Sequence, residues 1–180
     1  DDFGIRNLKT IIVEDGITNI PGRVFNIATA LKTIILSDDA EYIGNGALNE
    51  SDNLEFIEIP ASITNIGGFA TTTELKRVAF LSETANIDTG VGRGRSNEMT
   101  YYVVAGSAAA NQNITDARIK KETIKANGKI AGTSIEWLVT NEGTLEVYGV
   151  GDLALVDTAP WAGYVTDIEN VYIEEGITGV

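Results

Sequence analysis

Leu8-Lys-Thr-Ile-Ile-Val-Glu-Asp-Gly-Ile-Thr-Asn-Ile20 decides the fold, because it returns. Its frame recurs in Leu31-Lys-Thr-Ile-Ile-Leu-Ser-Asp-Asp-Ala-Glu-Tyr-Ile43 and in Leu54-Glu-Phe-Ile-Glu-Ile-Pro-Ala-Ser-Ile-Thr-Asn-Ile66. A fourth register opens at Leu75-Lys-Arg-Val-Ala-Phe80 and runs on to Ile87. Successive starts lie 23, 23 and 21 residues apart. Self-similarity at a fixed period of this length is the mark of a solenoid.

The frame has a physical reading. In L-x-x-I-x-I the last two apolar residues stand two apart, on one face of a short strand. The second apolar pair, such as Ile17 and Ile20, closes the coil on its other side, and Gly16, Pro21, Gly22, Gly44, Pro60, Gly67 and Gly68 mark the corners. One coil buries about six apolar side chains, roughly 2 kcal/mol each. Ordering its backbone costs about 1–2 kcal/mol per residue over some two dozen residues. A lone coil therefore does not fold; stacked neighbours are required.

The frame resembles the BspA-type leucine-rich repeat, whose units read L-x-x-I-x-I-P-x-x-V-T-x-I-G-x-x-A-F. Ile59-Pro-Ala-Ser-Ile-Thr-Asn-Ile-Gly67 and Ile43-Gly-Asn-Gly-Ala-Leu48 match it most fully. Tyr102-Val-Val-Ala-Gly-Ser-Ala-Ala-Ala110 is similar to the segment that closes such arrays. Gly128-Lys-Ile-Ala-Gly132, Trp137, Gly143-Thr-Leu145, Gly149-Val-Gly-Asp152 and Pro160-Trp161 resemble a non-repeat module between arrays of bacterial surface proteins. Departures are plain: the ninth frame position is Gly16, Asp39, Ser62, Glu83 or Gly176, with no Asn ladder, and Phe69 precedes Ala70 where the family has Ala before Phe. The corner after Ile66 is expected to differ from its neighbours.

The expected fold is β-rich (α/β by the convention of the repeat class). It is a short right-handed leucine-rich-repeat solenoid, a small antiparallel β insert and the start of a second array. Residues 1–110 read as the array, about four coils and a closing segment. Residues 111–166 read as the β-rich module, with a short helix around Ser107-Ala-Ala-Ala-Asn111 that could continue over Asp116 to Lys121. Asn127-Gly128 reads as a hairpin turn. Ile135, Trp137 and Val139 alternate before the turn Asn141-Glu-Gly143, and Leu145 and Val147 after it, giving a hairpin with one apolar face. Ile168 to Val180 repeats Leu8 to Ile20 and reads as the beginning of a second array over 167–180. Val171 and Ile173 then pair with the insert, with a neighbouring molecule, or poorly with anything. The chain reads as an excerpt, with further repeats expected beyond Val180.

Composition narrows function. With 26 acidic against 13 basic residues the formal charge is −13, which repels phosphate backbones and argues against nucleic acid. No apolar run reaches the length of a membrane span, so membrane insertion within this chain is not expected. The chain has no Cys and no His, which removes thiol nucleophiles, zinc-cysteine sites, the Ser-His-Asp triad and the commonest general base. No catalytic residue, metal ligand or cofactor site is expected. Gly90-Val-Gly-Arg-Gly-Arg95 lacks the Lys-Ser/Thr of a phosphate-binding loop and reads as surface loop. Asp38-Asp39 and Glu174-Glu175 lack the spacing of a calcium loop and read as solvated corners. Trp137 and Trp161 read as core before sugar platforms.

The strand faces remain. With Ile11 and Val13 inward, Thr10, Ile12 and Glu14 point outward. Stacking gives an outward row of Ile12, Ile35, Glu58 and Ala79 beside Thr10, Thr33, Phe56 and Arg77. Ile12, Ile35, Phe56, Glu58 and Arg77 are the candidate binding residues, an exposed strand face. The resemblance implies a non-catalytic, secreted or cell-surface bacterial module that binds a protein or glycan, by adhesion in the first instance. The alternatives are a structural spacer and a carbohydrate-binding accessory of a larger enzyme.

Overall fold

The computed structural model describes residues 5–68, 72–87, 98–156 and 158–180. The chain forms two compact units, Asp1–Lys121 and Glu122–Val180.

The first unit is the expected β-rich solenoid. Strands β1 (Thr10–Ile12) and β3 (Thr33–Ile35) pair in parallel, with Ile11 beside Ile34. Strands β5 (Phe56–Ile59), β7 (Arg77–Phe80) and β8 (Met99–Val104) form a second parallel ladder, Ile57 beside Val78 beside Tyr101. On the opposite side of the coil β2 (Asn19–Ile20), β4 (Tyr42–Ile43) and β6 (Asn65–Ile66) stack in register, Ile20 beside Ile43 beside Ile66. Leu31, Leu54, Leu75, Ile34, Ile57, Ile20, Ile43 and Ile66, all frame positions, lie in one continuous core. The segment expected only to close the array therefore begins with a fifth stacked strand, β8.

Backbone conformation repeats with the sequence. Arg23 and Gly46, one repeat apart, take φ +62° and +70°; Ile27 and Glu50 take +65° and +60°. For a β-branched residue such as Ile27 that conformation is costly, so coil geometry overrides side-chain preference there. Polar side chains replace the absent Asn ladder by bonding one coil to the next. The Gly16 N–H donates to Asp39 Oδ2 at 2.7 Å and the Ser62 hydroxyl to the Ala40 carbonyl at 2.6 Å. Thr73 donates its N–H and its hydroxyl to Asp52 Oδ1. The corner containing Phe69 and Ala70, and the Gly90–Arg95 loop, lie outside the described residues.

The array closes on a single helical turn, α1 (Ala108–Asn111), whose N-cap Ser107 accepts from the Ala110 N–H. The helix does not continue to Lys121. Asp116 instead accepts from the Arg118 N–H and pairs with its guanidinium at 2.6 Å, turning the chain into β9 (Ile119–Lys129). Lys121 Nζ reaches back to the carbonyls of Ala109 and Ala110, at 2.9 and 3.0 Å, and also to that of Gln112. That satisfies carbonyls a helix end leaves open and ties residues 111–121 to the first unit.

In the second unit β9 and β10 (Ser134–Thr140) are antiparallel, as are β10 and β11 (Thr144–Asp152). The Asn141–Gly143 turn is where the sequence places it, with Gly143 at φ +85°. Asn127-Gly128 is not a turn: both lie within β9, and the chain reverses after Ile130 through Gly132. Gly128 faces Trp137 across the ladder, and a Cβ there would stand 3.4 Å from the indole nitrogen. Ile135, Trp137, Val139, Leu145 and Val147 form the core, with Trp161 edge-on to Trp137 at 6.2 Å.

The opposite face of that hairpin is not solvated, as one apolar face would require; Leu138, Glu146 and Tyr148 are buried too. On it the Thr140 hydroxyl donates to Glu122 Oε2 at 2.9 Å, and Lys129 pairs with Glu136 at 3.1 Å. After a crossover long enough to reverse direction, β12 (Asn170–Ile173) pairs in parallel with β11, Val171 beside Leu145 and Ile173 beside Val147. Of the three open outcomes for Val171 and Ile173, pairing with the insert is the one found. A short β13 (Ile177–Thr178) pairs with the end of β11.

Candidate binding surface

The outward row begins as the alternation requires. In β1 only Ile11 is buried, and Ile12 is 53% exposed. Ile12 stands directly beside Ile35 on β3, itself half-buried. Two β-branched apolar side chains in register on an outer face form a small apolar patch that water solvates poorly.

Further along the array the face changes character. Phe56 is only 6% exposed, and Ala79 and Tyr102 in the neighbouring row are buried, so Phe56 is not the surface residue that alternation places outside. The physical reason is visible in the strands themselves. Val78-Ala79-Phe80 and Tyr101-Tyr102-Val103 are continuous apolar runs, the pattern of parallel strands covered on both faces. Glu58 and Arg77 are half-buried, each beside one of these covered residues (Glu58 beside Ala79, Arg77 beside Phe56). The five candidates therefore divide: Ile12 and Ile35 lie together in one register of the β1–β3 ladder, while Phe56, Glu58 and Arg77 belong to the covered stretch.

Among the described residues of the first unit, Leu8, Ile17, Val24 and Tyr42 are exposed apolar residues that the strand-face reasoning did not reach. Leu8 and Ile17 occupy frame positions that are inward in later coils.

The remaining chemistry is structural. Asp39 accepts from Gly16, and the Asp15 carboxylate accepts from the Asp38 N–H at 3.3 Å, so two corner carboxylates hold backbone. Among the described residues no three acidic side chains converge as a metal site would need. A shallow depression lined by Thr64, Asn65, Ile66 and Asn86 contains no ionisable group. Trp137 is committed to the core, which leaves it no face for a sugar ring. No helix among the described residues is long and apolar enough to cross a membrane.

Comparison with known proteins agrees with this geometry. A family model described as a BspA type leucine rich repeat region, of six copies, matches residues 3–96. No curated protein and no solved structure matches the chain.

Proposed function

We propose, for a chain that belongs to the BspA-type leucine-rich repeat family, that it is a non-catalytic binding module. Its contact surface is the outer strand face of the first two coils. The observation that carries this reading is the pairing of Ile12, 53% exposed, with Ile35 in one register of one parallel ladder. A solenoid of this kind offers a rigid strand face on which contact residues are held without entropic loss on binding. The ligand class is a protein surface with an apolar centre, and the setting is the bacterial cell surface or its exterior, as the family implies. Adhesion is the role that fits such a surface.

The test is a binding screen of the chain against extracellular-matrix proteins and glycans, repeated with Ile12→Lys and Ile35→Glu. Binding of a protein that both substitutions weaken at least tenfold, with the fold intact by circular dichroism, supports the reading. Binding unaffected by both, or binding of glycans alone, overturns it.

A further inference from the structure

The β2-β4-β6 side of the coil carries an outward polar row in strict register. Ile20, Ile43 and Ile66 are buried, and the residue before each, Asn19, Tyr42 or Asn65, lies beside its equivalents in one parallel ladder. Asn86, just before the buried Ile87, holds the same frame position in coil four. All four are exposed, Tyr42 by 40%. The alternation of the strand puts them outside. Tyr42 and Asn65 have a coil on either side, so no absent neighbour accounts for their exposure.

Among the described residues none of these four side chains bonds to another group. Each of the three carboxamides therefore offers donors and an acceptor together. The tyrosine adds an apolar ring with a polar tip. The backbone that carries them is fixed from coil to coil: the Glu41 N–H donates to the Thr18 carbonyl at 2.8 Å, and the Thr64 N–H to the Glu41 carbonyl at 2.9 Å. Between Asn65 and Asn86 the surface sinks into a depression of about 260 Å³, lined also by Thr64 and Ile66. The Thr64 hydroxyl already donates to the Glu41 carbonyl at 3.1 Å, so the side-chain donors left around the depression belong to the two carboxamides.

We propose that Asn19, Tyr42, Asn65 and Asn86 bind a linear, uncharged glycan laid along the stack, one pyranose ring to each coil. Stacked strands stand about 4.8 Å apart, close to the advance of one ring in an extended β-1,4-linked chain. A ring with only equatorial hydroxyls, as in glucose, has two apolar faces and a polar rim. One face rests on the Tyr42 ring, and rim hydroxyls exchange hydrogen bonds with the carboxamides on either side. The next ring enters the depression between Asn65 and Asn86. Carboxamides supply no cation for an anionic glycan, and the formal charge of −13 repels one. Side chains held on a paired backbone lose little freedom on binding. This row lies across the coil from the Ile12–Ile35 face, so the two surfaces stand or fall separately.

Calorimetric titration of the chain with β-1,4-linked gluco-oligosaccharides of two to six rings tests the proposal. Affinity should rise with length up to four rings, one per coil, and then level off. Tyr42→Ala and Asn65→Ala should each weaken the tetrasaccharide at least tenfold. Both side chains are exposed, so the melting temperature should stay within a few degrees of the unmodified chain. The corresponding uronic-acid oligomer should bind at least tenfold more weakly. No binding of the tetrasaccharide up to about 10 mM, affinity independent of length, or binding indifferent to Tyr42→Ala and Asn65→Ala would each overturn the proposal, as would preference for the anionic oligomer.

Discussion

The Gln112 side chain stands in for a strand. Its Oε1 accepts from the Ile87 N–H and its Nε2 donates to the Ile87 carbonyl, both at 2.8 Å. Ile87 holds the place in coil four that Ile66 holds in coil three, so one carboxamide satisfies the backbone that a further coil would otherwise satisfy. Gln112→Leu removes both partners from a buried residue, and unsatisfied buried backbone costs about 1–3 kcal/mol for each group. A fall in unfolding free energy of about 2–3 kcal/mol is expected. Urea titration measures it, and a loss under about 0.5 kcal/mol would deny the capping role.

Coil spacing at the second corner depends on the absence of a side chain. A Cβ on Gly44 would lie 2.1 Å from the Gly22 nitrogen and 2.6 Å from its Cα. Backbone on one coil must then move away from the next, breaking the bond from the Gly44 N–H to the Ile20 carbonyl, now 2.8 Å. Gly44→Ala should destabilise the array by about 2 kcal/mol or more. Gly16→Ala is the contrast: no heavy atom lies within 4 Å of its would-be Cβ, though φ is +88°, so it should cost only about 1 kcal/mol of backbone strain. Thermal melts of the two variants should keep that order.

Inward and outward strand positions should respond differently to charge. Ile34 is buried in the coil core, and Ile34→Lys sets an ammonium there without a partner; a loss of about 4 kcal/mol is expected. Ile12→Lys, on the open face, should cost under about 1 kcal/mol. Similar losses in the two variants would show that the strand register is wrong.

The second unit carries a pH-sensitive link. Lys125 Nζ lies 2.6 Å from Asp167 Oδ2 and 5.8 Å from the centre of the Tyr164 ring. The hydrogen bond from Lys125, then its charge, hold the Asp167 carboxyl below its ordinary value. A carboxyl lowered on folding contributes stability that is complete above its unfolded value and is lost as pH falls through the lowered one. A carbon-detected NMR titration should find Asp167 ionising at lower pH than a free aspartate. Lys125→Met should return it to the ordinary range, and an unmoved midpoint in that variant would refute the link.

The repeat was legible because its cause is local. Leu8, Ile11, Val13, Ile17 and Ile20 recur with their spacing, and stacking equivalent residues is the one way to bury that pattern repeatedly. Asn141-Glu-Gly143 was legible for a similar reason, since a tight turn is specified by its own residues. Asn127-Gly128 misled because the pair lies within β9, opposite Leu138 and Trp137, and the reversal falls instead after Ile130. The helix expected toward Lys121 gave way because the Asp116–Arg118 pair turns the chain and the Lys121 ammonium ends α1 from a distance.

The sequence by itself determined the coil: its period, its frame and its kinship. Each follows from an apolar frame that repeats whatever surrounds it. Only the tertiary structure decided which outward residues meet water. Phe56 and Ile12 lie on outer faces of equivalent strands, yet one is buried and the other open. Leu8 and Leu31 share a frame position with the same difference. Exposure depends on what packs against a residue across long separations in the chain, and a local pattern carries no record of that.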